Sequence, residues 1–447
     1  LIMVISDNGA SSEGGPDGSV NENLFFNFVP EDLEENLAAM DELGGPKYFN
    51  HYPWGWTWAG NTPFRRWKRE TYRGGISDPF IVHYPKGIQA EGEIRTQYTH
   101  AIDMVPTVLE VLGVEPPTSI RGVAQSPIEG VSFAESFEDP LTNSKRRTQY
   151  FEMICHRSIY HYGWRAVCPW PGTSFIESDR TFGTPISAEE LTELDATAWE
   201  LYHVAEDFAE NHNIAEDNRA RLIEMIGQWY VEAGKYNVLP VDGRGQQRFA
   251  EQRPQIAKHR SSYTFYPGTQ EVPMNASAQI INRPHSITAD VEFKNGDEGV
   301  LISQGGIDGG YVFYVQDGRL HYLYNYVARK IFHLESVKEI PEGASQLRFE
   351  FEATGKPEIL KGKGAPGLGQ LYIDGELVGQ VEMDVTNPIM LGLASGAAVG
   401  ADPGSPVTDK YQGPFTYTGQ LNNVTIDVSG ELIRDSEAEM RQVMARQ

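Results

Sequence analysis

The chain begins with five apolar residues in a row, Leu1 to Ile5, which lead directly into Ser6-Asp7-Asn8-Gly9. A short unbroken apolar run is typical of a strand covered on both faces, as in a parallel sheet packed between helices. The polar residues then lie at the carboxyl end of the strand, where open α/β sheets bind their ligands. Asp7 and Asn8 carry oxygen donors of the kind that Ca²⁺ and Mg²⁺ prefer. The pair therefore indicates a divalent-cation site.

Asn8-Gly9 also fits a simpler interpretation, because Asn-Gly is a strong signal for a hairpin turn. A hairpin requires a returning strand of alternating polarity. Residues 10–24 are instead rich in Gly, Ser, Asp and Asn. The missing return strand weakens the hairpin interpretation, and these residues alone leave both interpretations open.

A second informative block extends from Asn50 to Ile88. In chain order, the informative motifs of the first block, of this block and of later residues are SDNGAS, His51-Tyr52-Pro53, Thr62-Pro63-Phe64, Lys68, Gly74-Gly75, Pro79, His83-Tyr84-Pro85-Lys86-Gly87, Asp103-Met104-Val105-Pro106-Thr107, Gly130-Val131-Ser132 and Trp199-Glu200-Leu201-Tyr202. Together they closely resemble the C-terminal half of bacterial arylsulfatases, which are members of the alkaline-phosphatase-like superfamily. The resemblance covers about residues 1–235, and one departure is visible: the family usually has an Arg after the paired glycines, where this chain has Ile76-Ser77-Asp78.

The resemblance implies an α/β fold, with part of an alkaline-phosphatase-like sulfatase sheet packed by helices. It implies hydrolysis of sulfate esters by a formylglycine nucleophile with the help of a divalent metal. In the family pattern Asp7 and Asn8 bind Ca²⁺, with Mg²⁺ as the alternative, and Asp7 also faces the nucleophile. Lys68 contacts the sulfate, so Asp7 and Lys68 are the predicted catalytic residues.

The nucleophile itself is not found in the sequence. Formylglycine forms from the first residue of a Cys/Ser-x-Pro-x-Arg motif, and neither Cys155 nor Cys168 heads such a motif, nor does any serine. We expect the nucleophile and the remaining metal ligands to lie upstream of Leu1, and this chain alone to be inactive. The two cysteines allow either one disulfide or two thiols.

Arg65-Arg66-Trp67-Lys68-Arg69 is the sharpest basic cluster in the chain. A compact ammonium group suits the oxygens of a sulfate, and we therefore assign Lys68 a functional role in line with the resemblance. We interpret the three arginines as a solvated basic turn. His51 is interpreted as a hydrogen-bonded structural histidine, and the nearby tryptophans either line a substrate pocket or cap the core.

The rest of the chain indicates how the domains are organised. The first domain is predicted at 1–238. Helical periodicity is found at Pro30–Leu43 and Asn218–Ala233, and the pattern at 147–170 and 199–204 is typical of an antiparallel subdomain. A polar linker is predicted at 239–279. Residues 280–430 alternate with a period of two and contain Asp-Gly turns, which predicts an antiparallel β-sandwich similar to laminin-G or concanavalin-like domains, with a scaffold role. Residues 431–447 form a predicted terminal helix or tail.

Charge and composition restrict the partners. The chain has 37 basic and 62 acidic residues and a net charge of −25. Such a surface repels nucleic acid, and no apolar run is long enough to span a membrane. The expected partner is a small sulfate ester, with a sulfated sugar as an alternative, and the compartment is not indicated. Two other functions stay open: a phosphatase or phosphonate monoester hydrolase of the same superfamily, and a carbohydrate-binding sandwich protein with an inert sulfatase-like part.

Overall fold

The computed structural model describes residues 1–89, 92–169, 187–242, 260–274, 276–393 and 395–430. The chain divides into two compact units. The first contains residues 1–12 and 55–245, and the second contains residues 13–54 and 246–447. The structure thus groups residues 13–54 with the second half of the chain, whereas the sequence analysis grouped them with the first.

The secondary structure is mixed. The α-helices are α1 (Glu22–Phe26), α2 (Leu33–Ala38), α3 (Trp54–Gly60), α4 (Arg73–Ile76), α5 (Met104–Leu112), α6 (Glu135–Glu138), α7 (Ala188–Thr197) and α8 (Arg219–Lys235). Short 3₁₀ turns cover Met40–Glu42, Ala101–Asp103 and Ile359–Lys361. The strands of the first unit are β1 (Ile2–Ile5), β2 (Phe80–His83), β3 (Ser119–Ile120), β4 (Val123–Ala124), β5 (Thr148–Met153), β6 (His156–His161), β7 (Trp164–Cys168) and β8 (Glu200–His203). Those of the second unit are β9 (Ser262–Phe265), β10 (His285–Phe293), β11 (Gly299–Gly306), β12 (Gly309–Gln316), β13 (Arg319–Tyr326), β14 (Lys330–Glu339), β15 (Gly343–Ala353), β16 (Gly367–Ile373), β17 (Glu376–Met383), β18 (Ala398–Val399) and β19 (Gln420–Asp427).

Strand β1 differs from the prediction in its environment. Among the described residues it pairs only with β2, and the two strands are antiparallel, with Met3 opposite Val82. Ile2 and Val4 are 58% and 55% exposed. The expectation of a strand covered on both faces in a parallel sheet is therefore wrong for this structure. An apolar run reports a tendency to be buried, but it specifies neither the covering element nor the strand direction.

The antiparallel strands predicted at 147–170 and 199–204 are present in the structure. Strands β5, β6, β7 and β8 form one four-stranded antiparallel sheet in sequence order. Helix α8 packs its apolar stripe, which includes Trp229, against Ile159 and Leu201 of this sheet. Cys155 and Cys168 are both buried thiols rather than a disulfide.

The predicted antiparallel strands of the second unit are also confirmed. A six-stranded sheet with the order β17-β16-β15-β10-β19-β9 and a five-stranded sheet with the order β14-β13-β12-β11-β18 contribute to one apolar core. Asp317-Gly318 and Asp374-Gly375 have positive φ angles, as two-residue hairpin turns of this kind require. We call residues 262–427 the two-sheet region; its assignment to a laminin-G or concanavalin-like sandwich stays a prediction.

Three other expectations have different outcomes. Part of the predicted linker forms β9, which pairs with β19 at the edge of the six-stranded sheet. The helix expected over Pro30–Leu43 is shorter, because α2 covers Leu33–Ala38 and its apolar side chains are exposed. The predicted terminal helix at 431–447 lies outside the described residues.

No helix in the described part of the chain has the length and apolarity needed to cross a membrane.

Candidate functional site

The loop that follows β1 is fixed by backbone and side-chain hydrogen bonds to residues 57–75. The Asn61 carboxamide oxygen accepts from the N–H of Ala10 at 3.2 Å, and its nitrogen donates to the carbonyls of Arg66 and Gly74 at 2.6 and 2.7 Å. Thr57 donates its hydroxyl to the carbonyl of Ser11 at 2.7 Å. One buried Asn side chain thus joins three chain segments and holds the predicted cation loop in place.

Glycines allow the backbones of these segments to approach closely. The N–H of Gly9 donates to the carbonyl of Gly75 at 3.1 Å. A Cβ atom at Gly9 would lie 1.8 Å from the carbonyl oxygen of Gly74, and one at Gly75 would lie 1.9 Å from that of Glu70. No side chain fits at these positions, so the paired glycines of the sequence motif are required by packing.

The structure brings the segments of the three predicted site residues together. The backbone N–H of Lys68 donates to the carbonyl of Ala10 at 3.0 Å, two residues after Asn8. Asp7 is exposed, whereas Asn8 and Lys68 are half-buried. Residues more than 55 positions apart in sequence therefore meet at one loop, as a shared anion and cation site requires.

Asp78 is an additional acidic residue at this site, and it occupies the stretch in which the sequence departs from the family pattern. Burial raises the pKa of Asp78, and the negative charge of Asp7 raises it further. The two carboxylates therefore repel one another. The departure is visible in the sequence, and an acidic residue where a family has a basic one is itself a signal that could have assigned Asp78 to the site.

Asp7, Asn8 and Asp78 supply an oxygen-rich and negatively charged donor set. Hard divalent cations such as Ca²⁺ prefer such oxygens, and a bound cation would relieve the repulsion between the two carboxylates. The residues present therefore fit a divalent cation. Asp7 and Asn8 would supply only two of the six to eight ligands that Ca²⁺ takes, and the prediction that further ligands lie elsewhere stays a prediction.

Two arginines of the basic cluster, Arg65 and Arg69, do not lie in a solvated turn. Arg65 donates to Glu200 at 2.6 Å and stacks over the ring of Tyr72 at 4.4 Å. Glu200 also accepts from the hydroxyls of Tyr72 and Tyr202, at 2.7 and 2.5 Å. Arg69 is only 7% exposed. The interpretation of Arg65 and Arg69 as surface charges is wrong, because acidic and aromatic partners distant in sequence surround Arg65 and the fold buries Arg69.

A buried ion pair supports the segment that leads to the paired glycines. Arg165 on β7 pairs with Glu210 at 2.6 Å, and both side chains are almost fully buried. Arg165 also donates to the carbonyl of Thr71 at 2.5 Å, and Glu210 accepts from the N–H of Arg73 at 2.8 Å. Sequence analysis missed this pair, because its members are separated by 45 residues and share no motif.

The aromatic residues near the site are partly exposed. Trp56 and Trp58 on α3 are 68% and 57% exposed, whereas Thr57 between them is buried. These two tryptophans therefore do not cap a core of the described structure. Trp67 is buried and meets Trp58 edge-on, with ring centroids 6.0 Å apart. The aromatic contact between Trp58 and Trp67 therefore lies next to Lys68 in the chain.

Comparisons with known proteins show what the first part of the chain is similar to. Residues 1–114 match the family model described as Sulfatase, and residues 65–166 match the model described as N-sulphoglucosamine sulphohydrolase, C-terminal. The predicted resemblance to the sulfatase family is confirmed over these residues. They contain Asp7, Asn8 and Lys68, as well as the paired glycines.

Individual relatives are more distant. An arylsulfatase of Klebsiella aerogenes is 27% identical over 135 residues, which cover 30% of this chain and 27% of the relative. An uncharacterized sulfatase of Schizosaccharomyces pombe is 25% identical over 241 residues, which cover 54% of this chain and 38% of the relative. The chain thus spans about a third of the length of the curated relatives it matches. Domains LG4-5 of the mouse laminin alpha1 chain are 12% identical with a TM-score of 0.25, covering 42% of this chain and 46% of that one, a likeness too weak to support an argument.

Proposed function

We propose that this chain contributes to the hydrolysis of sulfate esters. The observation that carries the proposal is the hydrogen bond between Lys68 and Ala10, which joins a candidate sulfate-binding residue to the loop that holds a candidate cation site. The matches to sulfatase models over the same residues support this reading. The proposed substrate is a small sulfate ester.

Each residue has a proposed role that follows from its chemistry. Asp7 and Asn8 hold Ca²⁺ through their side-chain oxygens, and Lys68 places a compact positive charge beside the oxygens of the sulfate. A bound Ca²⁺ would supply further positive charge for the transferring sulfuryl group. Asn61 and the glycines keep the two segments in register, so that these charges are oriented before the substrate arrives.

The nucleophile is a separate proposal. The proposed nucleophile is a formylglycine, which Asp7 would face. The proposal assigns this chain the stabilisation of negative charge rather than the formation of the covalent bond.

An assay with matched esters tests the proposal. The natural full-length protein is assayed with an aryl sulfate and with the corresponding aryl phosphate, before and after removal of Ca²⁺ by a chelator. We expect turnover of the sulfate to exceed turnover of the phosphate and to recover when Ca²⁺ is restored. A preference for the phosphate would support a phosphatase or phosphonate monoester hydrolase, and no turnover of either would contradict the proposal.

A further inference from the structure

A separate group of metal-ligating side chains lies in the second unit. Glu13, Glu22 and His51 each place one donor atom so that the three atoms lie within 4.8 Å of one another, and all three residues are half-buried. Among the described residues, no other group of three or more His, Cys, Asp or Glu side chains has donor atoms that converge in this way. Nothing in the sulfate-ester proposal uses it.

The backbone around this group is held in a fixed register. Ser19 and His51 exchange two backbone hydrogen bonds of 2.8 Å, and the N–H of Glu22 donates to the carbonyl of Phe49 at 2.9 Å. The segments that carry the imidazole and one carboxylate are therefore paired as in a short sheet. The backbone positions of His51 and Glu22 are therefore fixed relative to one another.

Helix α1 fixes Glu22 further, because the residues after it are anchored in the same unit. Asn23 is fully buried and donates to the carbonyls of Asp308 and Leu391 at 3.1 and 3.0 Å. Asn27 is also fully buried and accepts from the N–H groups of Ile389 and Met390 at 3.0 Å. A rigid helix presents the Glu22 carboxylate, as a preorganised ligand requires.

The imidazole of His51 is oriented for ligation. Its Nδ1 atom lies 3.1 Å from the carbonyl oxygen of Tyr52. A carbonyl oxygen only accepts hydrogen bonds, so this contact favours the ring form with the proton on Nδ1, in which Nε2 has the lone pair that a metal requires. Metal-ligating histidines characteristically donate their other ring N–H to a carbonyl or carboxylate, which fixes the tautomer. This contact with Tyr52 is independent of the carboxylates, and the ring form that it favours leaves Nε2 for a metal.

We propose that His51, Glu13 and Glu22 form a binding site for a divalent transition metal of the Zn²⁺ type. One imidazole nitrogen and two carboxylate oxygens are ligands that Zn²⁺ accepts, with water in the fourth position. Ca²⁺ is a poorer fit, because it prefers six to eight oxygens. The competing arrangement is a protonated His51 paired with the carboxylates and no metal.

Calorimetric titration of Zn²⁺ into the tag-free, chelator-treated 447-residue chain tests the site. We expect His51→Ala and Glu22→Gln each to weaken one Zn²⁺-binding event by at least about 10–100-fold, the loss seen when even outer partners of a metal ligand are removed. His212→Ala is the matched control, because His212 is 84% exposed and lies 4.0 Å from Asp207. This variant should bind Zn²⁺ as the unchanged chain does.

Three results would overturn the proposal: no measurable Zn²⁺ binding by the unchanged chain, Zn²⁺ binding that both His51→Ala and Glu22→Gln retain, or binding that is lost in Asp7→Asn instead. Circular dichroism of each variant verifies folding. Glu22→Gln preserves the shape of the side chain, so it decides the matter if His51→Ala does not fold.

Discussion

Gly9 shows, at the residue scale, how a single missing side chain permits the candidate site. Its backbone N–H bonds to Gly75, and a Cβ would meet the carbonyl of Gly74 at 1.8 Å. We therefore predict that Gly9→Ala lowers stability by about 2–4 kcal/mol, because backbone atoms must move apart. Urea unfolding followed by tryptophan fluorescence measures the loss.

Gly227 provides the matched control for this prediction. It lies on the exposed side of α8, and a Cβ there would meet nothing within 4 Å. Gly227→Ala should leave stability unchanged or raise it by about 1 kcal/mol, because Ala favours the helix. Equal effects of the two substitutions would show that the packing around Gly9 does not constrain the loop.

His156 makes stability depend on pH. Burial lowers the pKa of His156 to about 4 from an ordinary value of 6.5, although the Glu70 carboxylate lies 3.4 Å away. Between these values the unfolded chain binds a proton that the folded chain does not. The free energy of unfolding should therefore fall by up to about 1.4 kcal/mol per pH unit as the pH drops from 6.5 to 4.

Replacement of this histidine tests the pH effect. His156→Gln should flatten the decline of the unfolding free energy between pH 6.5 and 4, measured by urea titration at several pH values. The exposed His212 serves as a control, since His212→Gln should leave the slope unchanged. A slope that is equally steep in His156→Gln would assign the pH dependence to other groups.

At the scale of elements, helix α1 helps to stabilise the second unit. Asn27 accepts two backbone hydrogen bonds from Ile389 and Met390 and donates to the carbonyls of Asn23 and Met390. Asn27→Ala leaves these buried groups without partners, and each buried group left so costs about 1–3 kcal/mol. We predict a loss of at least about 2 kcal/mol in urea unfolding of the second unit.

A surface asparagine in the same unit gives the comparison. Asn295 is exposed in the turn between β10 and β11. Asn295→Ala should change stability by no more than about 0.5 kcal/mol. If Asn27→Ala were as mild, residues 13–54 would not be an integral part of the second unit.

Elements with a local signature could be predicted from sequence. Asp317-Gly318 forms the expected turn because only residues that tolerate positive φ suit it. Helix α8 follows its apolar spacing. Strand β9 could not be predicted because Ser262–Phe265 is too short to indicate a strand. Its partner β19 also lies some 160 residues away in the sequence.

At the scale of the whole molecule, the candidate site could be predicted only in part from the sequence. Asp7, Asn8 and Lys68 lie in motifs that can be recognised one by one. Glu200 and the Arg165–Glu210 pair support the site through contacts between distant residues, which no local pattern reports. The grouping of residues 13–54 with the second unit is likewise a property of long-range packing.

The central claim is that Lys68 acts on the sulfate group, and kcat/KM of Lys68→Ala in the natural full-length protein tests it most directly. Removal of one preorganised electrostatic donor costs about 10²–10³ in rate, and Lys68→Arg should recover only part of the loss. Lys86→Ala, which alters an exposed lysine in the same unit, should have no effect. We predict that Lys68→Ala lowers kcat/KM for an aryl sulfate by about 10²–10³ and leaves the Ca²⁺ content unchanged. A kcat/KM close to that of the natural protein would contradict the account.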